Sequence, residues 1–237
     1  MKKHTRTLLI GVSAMFALGT LSACSSGTST EATTTAEATA TTPVSATAAP
    51  FPQSAKYIAD MKAADGKTMT IGIAVDGTEV AAYACNGTDD EAWFFGNQAD
   101  GKIDITSRFR DTLSAEFDGT DVDGDLTMNG VKYEFTAPAV PAPAGMYTAA
   151  SDGVRASWVV RPDGSAIGVQ FNGGVSGRDF EQAELQQLKD EQFRASVRNK
   201  RQLQQAQQIA RLQNNGFEST INGKKVVLVI VNGNFRL

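Results

Sequence analysis

Residues 67–87, KTMTIGIAVDGTEVAAYACNG, decide the fold. Met69, Ile71, Ile73 and Val75 alternate with Thr68, Thr70, Gly72 and Ala74, the period-two pattern of a strand with one apolar face. Asp76-Gly77 then supplies the positive-φ turn that returns a second apolar run antiparallel to the first, and Asn86-Gly87 ends that run. The same device recurs on either side. Asp65-Gly66, Asp100-Gly101, Asp118-Gly119 and Asn129-Gly130 punctuate the chain, and Ile103 and Ile105, then Leu113, Ala115 and Phe117, then Val131, Tyr133 and Phe135 alternate between them.

The spacing predicts strands over 56–62, 67–75, 78–85, 90–95, 101–106, 111–117, 122–127 and 131–136. The first equally reads as a short helix capped by Ser54. Sequential strands with short turns most simply form an up-and-down antiparallel meander, closed or nearly closed into a small barrel. Such a barrel is filled by its own side chains or holds one small ligand, and the pattern does not choose between them. Trp93, Phe94 and Phe95 are neighbours in one strand and cannot share a face. Either Phe94 or the Trp93/Phe95 pair packs outside, beneath the second half of the chain.

Pro138, Pro141 and Pro143 mark the end of this part. Val154–Val160 and Ser165–Phe171 flank Pro162-Asp163-Gly164 and read as a hairpin. Arg178–Gln213 contains neither Gly nor Pro and is rich in Gln, Leu, Ala, Glu and Arg, which predicts a helix of up to 36 residues, about 54 Å long. Asn214-Asn215-Gly216 stops it. A last hairpin joins Phe217–Ile221 to Lys225–Val231, whose apolar run suits a strand covered on both faces. The expected class is therefore α+β, mostly β: a barrel-like meander followed by a hairpin, long helix, hairpin unit.

On that helix Leu185, Leu188, Leu203, Ala206 and Ala210 share a face, while Phe193 and Val197 fall elsewhere, which disfavours a sustained coiled coil. Acidic residues precede basic ones along it, complementing the macrodipole. Arg194, Arg198 and Arg201 stand at i, i+4 and i+7, a candidate contact for an anionic lipid head group or cell-wall polymer; the alternative is a solvated charged face.

The amino terminus reads as a signal peptide, with Lys2, Lys3 and Arg6 before an apolar stretch from Leu8 to Leu21. Leu21-Ser22-Ala23-Cys24 resembles the lipobox of bacterial lipoproteins. The resemblance implies cleavage before Cys24, acyl chains on that cysteine and a place on the extracytoplasmic face of the cell membrane. Residues 1–23 are then the removed signal and 24–55 a Ser/Thr/Ala-rich disordered tether, reaching on the order of 30 Å. Residues 56–147 form the meander and 148–237 the second part. A tether of this composition after a lipobox looks like those of surface lipoproteins of high-GC Gram-positive bacteria.

Cleavage removes His4, the only histidine, so catalytic systems and metal sites that need an imidazole are excluded from the mature chain. It also removes Lys2, Lys3 and Arg6, leaving 19 basic against 26 acidic residues, a net charge of −7 that argues against nucleic acid as a partner. Cys85 is the remaining thiol, and its apolar surroundings read as core. The acidic run Asp118 to Asp125 invites a calcium reading, but its glycine and glutamate spacing fails the EF-hand pattern, and a hairpin turn explains it. No cofactor motif is present.

Val80-Ala-Ala-Tyr-Ala-Cys85-Asn-Gly87, Trp93-Phe-Phe-Gly96, Gly130-Val-Lys-Tyr-Glu-Phe135, Gly145-Met-Tyr147 and Ser157-Trp-Val-Val-Arg-Pro-Asp-Gly164 resemble an uncharacterised family of actinobacterial secreted and lipid-anchored proteins. The resemblance covers residues 56–171 and implies a β-rich envelope domain; it carries no activity and no catalytic residue. The resulting expectation is a noncatalytic envelope module that binds an envelope protein or cell-wall polymer through the barrel surface or the helix. The alternative is a carrier of a small apolar ligand in the barrel lumen.

Overall fold

The computed structural model describes residues 48–213 and 216–237, which belong to one compact unit. The segments expected to be the signal peptide and, up to residue 47, the tether with Cys24 lie outside the described residues. Among those described, no helix is long and apolar enough to cross a membrane.

Eight strands follow one another as the turns require: β1 (Ser54–Lys62), β2 (Thr68–Asp76), β3 (Glu79–Cys85), β4 (Glu91–Ala99), β5 (Lys102–Thr106), β6 (Thr112–Phe117), β7 (Asp121–Met128) and β8 (Val131–Pro138). They pair antiparallel in sequence order. The segment after β8 returns to β1 through a bridge between Tyr57 and Ala139 and a 2.8 Å bond from the Val140 amide to the Lys56 carbonyl, so the sheet is a nearly closed barrel. Asp100-Gly101 and Asn129-Gly130 have positive φ at both turn residues, the geometry that matches strand twist in a two-residue hairpin. Asp118 likewise serves a turn, its carboxylate accepting the Thr120 and Asp121 amides at 2.7 and 2.8 Å.

The alternation of β2 places Met69, Ile71, Ile73 and Val75 inside the barrel, where Phe94, Leu113, Leu126 and Met128 meet them. The barrel is thus filled by its own side chains. Phe94 points in, and Trp93 and Phe95 pack outside beneath the second half, one of the two arrangements open to the aromatic trio.

That half contains β9 (Gly145–Ser151), β10 (Val154–Val160), β11 (Ala166–Phe171), the helices α1 (Gly177–Leu185) and α2 (Asp190–Ser196), then β12 (Leu203–Gln205), β13 (Ala210–Arg211), β14 (Phe217–Ile221), β15 (Lys224–Val227) and β16 (Val229–Ile230). Gly145, Met146 and Tyr147 therefore belong to the second sheet rather than to the end of the meander. The strands form a five-stranded sheet in the order β12-β11-β10-β9-β16 and a three-stranded sheet β13-β14-β15. One face of the larger sheet presents Met146, Val159 and Val169 to Ile58, Ala74, Tyr83 and Trp93 on the barrel exterior. Its other face packs Tyr147, Trp158 and Val160 on Phe217, Ile221 and Leu228. Gly72 lets the barrel wall and sheet approach closely: a Cβ there would lie 2.5 Å from Met146 Cγ.

The long helix over 178–213 does not form. The chain makes α1, α2 and a 3-10 turn at Arg198–Lys200, then becomes extended. Helix propensity differs by only tenths of a kcal/mol per residue among these side chains, so tertiary contacts decide. Leu203–Gln205 gains a sheet edge beside β11, and the Ala206 amide bonds the Gly168 carbonyl at 3.0 Å. Phe193 and Val197, off the expected apolar face, are buried, as is Ala206 on it, whereas Leu185 is 83% exposed. The apolar run at the end of the chain is also not one strand covered on both faces. It breaks at Leu228, so that β15 and β16 join different sheets and Val227 and Val229 remain exposed.

Candidate functional site

In an up-and-down barrel alternate turns share one end, so the β1–β2, β3–β4, β5–β6 and β7–β8 turns ring one mouth. The segment from α1 to β12 lies against this mouth. Asn86 builds the β3–β4 turn by accepting the amides of Thr88, Asp89 and Asp90 at 2.9, 3.0 and 2.9 Å, which fixes Asp90 at the rim. Ser107 does similar work in the β5–β6 turn, its hydroxyl accepting the Phe109 and Asp111 amides at 3.1 and 3.0 Å.

The arginines expected to form a helical stripe are separated by this packing. Arg198 is 2% exposed; its Nε donates to both Asp111 oxygens at 3.0 and 3.2 Å, and its Nη2 to Asp90 at 2.8 Å. Arg201 donates to Asp90 at 3.1 Å and to the Glu91 carbonyl at 2.5 Å. Arg194 is half-buried beside Gly130. Arg198 and Arg201 therefore fasten the segment to the barrel mouth and present no stripe to an anionic partner. Burial pushes the Asp111 carboxyl above its ordinary range despite the attraction of Arg198.

Beside this network lies a cleft of about 480 Å3. Trp93 and Phe95 of β4 line it and stack on each other at 5.4 Å, as do Phe109 of the β5–β6 turn and Phe180 of α1, whose rings tilt together at 5.4 Å. Guanidinium groups lie over several of these rings: Arg108 over Phe180 at 4.1 Å, Arg201 over Phe109 at 4.6 Å, and Arg155 over Phe171 at 5.3 Å. Glu91, at the start of β4 and 3% exposed, pairs with Arg155 in the cleft wall. Burial raises its pKa, against the attraction of Arg155.

Three buried polar atoms of this wall have no hydrogen-bond partner: Glu91 Oε2, Trp93 Nε1 and Arg155 Nε. Buried polar groups are nearly always satisfied, so three around one cleft distinguish it from ordinary packing. Apart from the shared face of Trp93 and Phe95, whose direction was left open, the cleft was not legible in the sequence. Its one local signal was Phe193 and Val197 lying off the stripe of the supposed helix. Cys85, by contrast, is fully buried in the second core as its surroundings implied, and burial pushes its thiol up to about 12.

Comparison of the chain with protein-family models finds no match, and neither the curated proteins nor the solved structures give one.

Proposed function

We propose that this chain is an envelope lipoprotein, acylated at Cys24, whose folded part is a noncatalytic module that binds a small molecule in the cleft between the barrel mouth and α1. The observation that carries the reading is the coincidence, in one cleft lining, of aromatic side chains with three residues that each hold an unmet buried polar atom. The packed barrel interior favours this cleft over a carrier lumen. The lack of histidine beyond His4 favours binding over acid–base chemistry. The resemblance to actinobacterial secreted and lipid-anchored proteins agrees with the address.

Two measurements test it. Wild type grown with an alkyne-tagged fatty acid should carry the tag in the membrane fraction, and Cys24→Ala should lose it; a tag retained without Cys24 sinks the anchor. The full chain, extracted in mild detergent from its own envelope, should show excess mass under native ionisation that disappears on denaturation. A native mass equal to the denatured one counts against a small resident ligand.

A further inference from the structure

The cleft has a charge preference that follows from its ion pairs. Of the three arginines lining it, Arg155 is answered by Glu91 and Arg201 by Asp90, while Arg108 has no carboxylate partner among the described residues. Arg108 is thus the one arginine of the lining without a carboxylate side chain against it among the described residues. Arg108 is exposed, and its interaction within the fold is with the Phe180 ring.

The unmet groups point the same way. Two of the three are N–H donors, on Trp93 and Arg155. An acceptor oxygen brought within reach would satisfy these two donors, whereas a hydrocarbon would leave them bare. A cationic ligand of the kind held in aromatic cages finds guanidinium groups of the protein itself already over the Trp93, Phe95, Phe109, Phe171 and Phe180 rings, which would repel it. Trp93, Phe95, Phe109 and Phe180 line the cleft and give it flat aromatic area for a ring, each already carrying a guanidinium over one face. A guanidinium such as Arg108 also stacks on aromatic planes while donating to an acid group.

Resting on the proposed binding role of this cleft, we infer that its ligand is a small planar aromatic anion, with its ring among Trp93, Phe95, Phe109 and Phe180 and its acid group held by Arg108.

The test is equilibrium dialysis of the full chain in detergent, against a matched detergent blank, with three isosteric probes: 2-naphthoate, 2-naphthalenemethanol and 2-naphthylmethylammonium. The naphthoate should bind about tenfold or more tighter than the alcohol, as a charge-assisted contact requires, and the ammonium weakest. Arg108→Gln, a change at an exposed side chain, should erase that tenfold preference, and Phe180→Leu should weaken all three probes. Equal binding of the alcohol, tighter binding of the ammonium, or a naphthoate affinity unmoved by Arg108→Gln overturns the assigned class while leaving the cleft as a binding site. Failure of all three probes to bind overturns the cleft reading as well.

Discussion

The side chains packed inside the barrel are apolar and aromatic, whereas the segment across its mouth is fastened by Arg198 and Arg201 to Asp90 and Asp111, next to the Arg155–Glu91 pair. Both regions are buried, but they are specified differently. Apolar burial is non-directional, so any residue of the right size on the inward face of a strand contributes. A buried ion pair works only with its partner at the right place, and loss of one member leaves the other charged and dry.

The two materials should therefore break differently. Arg198→Met is expected to cost about 3–5 kcal/mol, because Asp111 stays buried without its partner. Adding Asp111→Asn should recover a large share, since the amide oxygen still accepts from the Asn129 amide while the stranded charge is gone. Leu126→Ala, inside the barrel, should cost about 3 kcal/mol through lost burial and the cavity left behind, and no single neighbour should rescue it. Urea unfolding measures all three. An Arg198→Met loss below about 1 kcal/mol would place the mouth among solvated ion pairs and remove the contrast.

The same difference explains what was legible. Strands β1 to β8 were readable to within a few residues because alternation and Asx-Gly turns are local. Strand geometry also separated Phe94 from Trp93 and Phe95, and left open which side faced out. Arg198 and Arg201 meet partners 87 to 111 residues away, and nothing near residue 200 announces Asp111 or Asp90. Locally the segment reads as helix, with charges spaced as on a helical face. Tertiary pairing overrides that preference and turns an apparent surface stripe into a buried clasp.

A smaller effect separates the regions by pH. Burial holds Glu91 and Asp111 above the ordinary carboxylate range. Such groups bind protons more readily in the folded state, so their contribution is fully present below the unfolded pKa and lost as pH rises through the folded one. Asp60, lowered by its hydrogen bond from Arg161, and Asp89, lowered by that from Asn86, act in the opposite sense, and their contribution is lost as pH falls through their folded values. Stability should thus increase as pH falls from above toward the ordinary carboxylate range near about 4, and decrease below that range. Asp111→Asn and Glu91→Gln should flatten the upper part of a Tm-against-pH curve, and Leu126→Ala should lower the curve without flattening it. A wild-type Tm that declines as pH is lowered through the range above about 4 would show that the mouth carboxyls are not held in their protonatable, dry setting.

The least costly change sharpens the contrast where the sequence misled. A continuous helix over 178–213 would place Leu185 on the docked face with Leu188 and Leu203, and Leu185→Gln would then remove a core contact. In the structure Leu185 is 83% exposed at the end of α1, and Gln187 takes a positive φ of 48° just beyond it. The substitution should accordingly change stability by less than about 0.5 kcal/mol. Phe193→Ala, off the helical stripe, should cost about 3 kcal/mol, because Phe193 is 3% exposed and packs with Phe180, Val197 and the Arg110 guanidinium. The pair measured together is informative in a way that neither is alone. A reversed order would return the segment to one long docked helix and dissolve the mouth, while the expected order places the buried face of residues 177–197 against the barrel and leaves Leu185 in solvent.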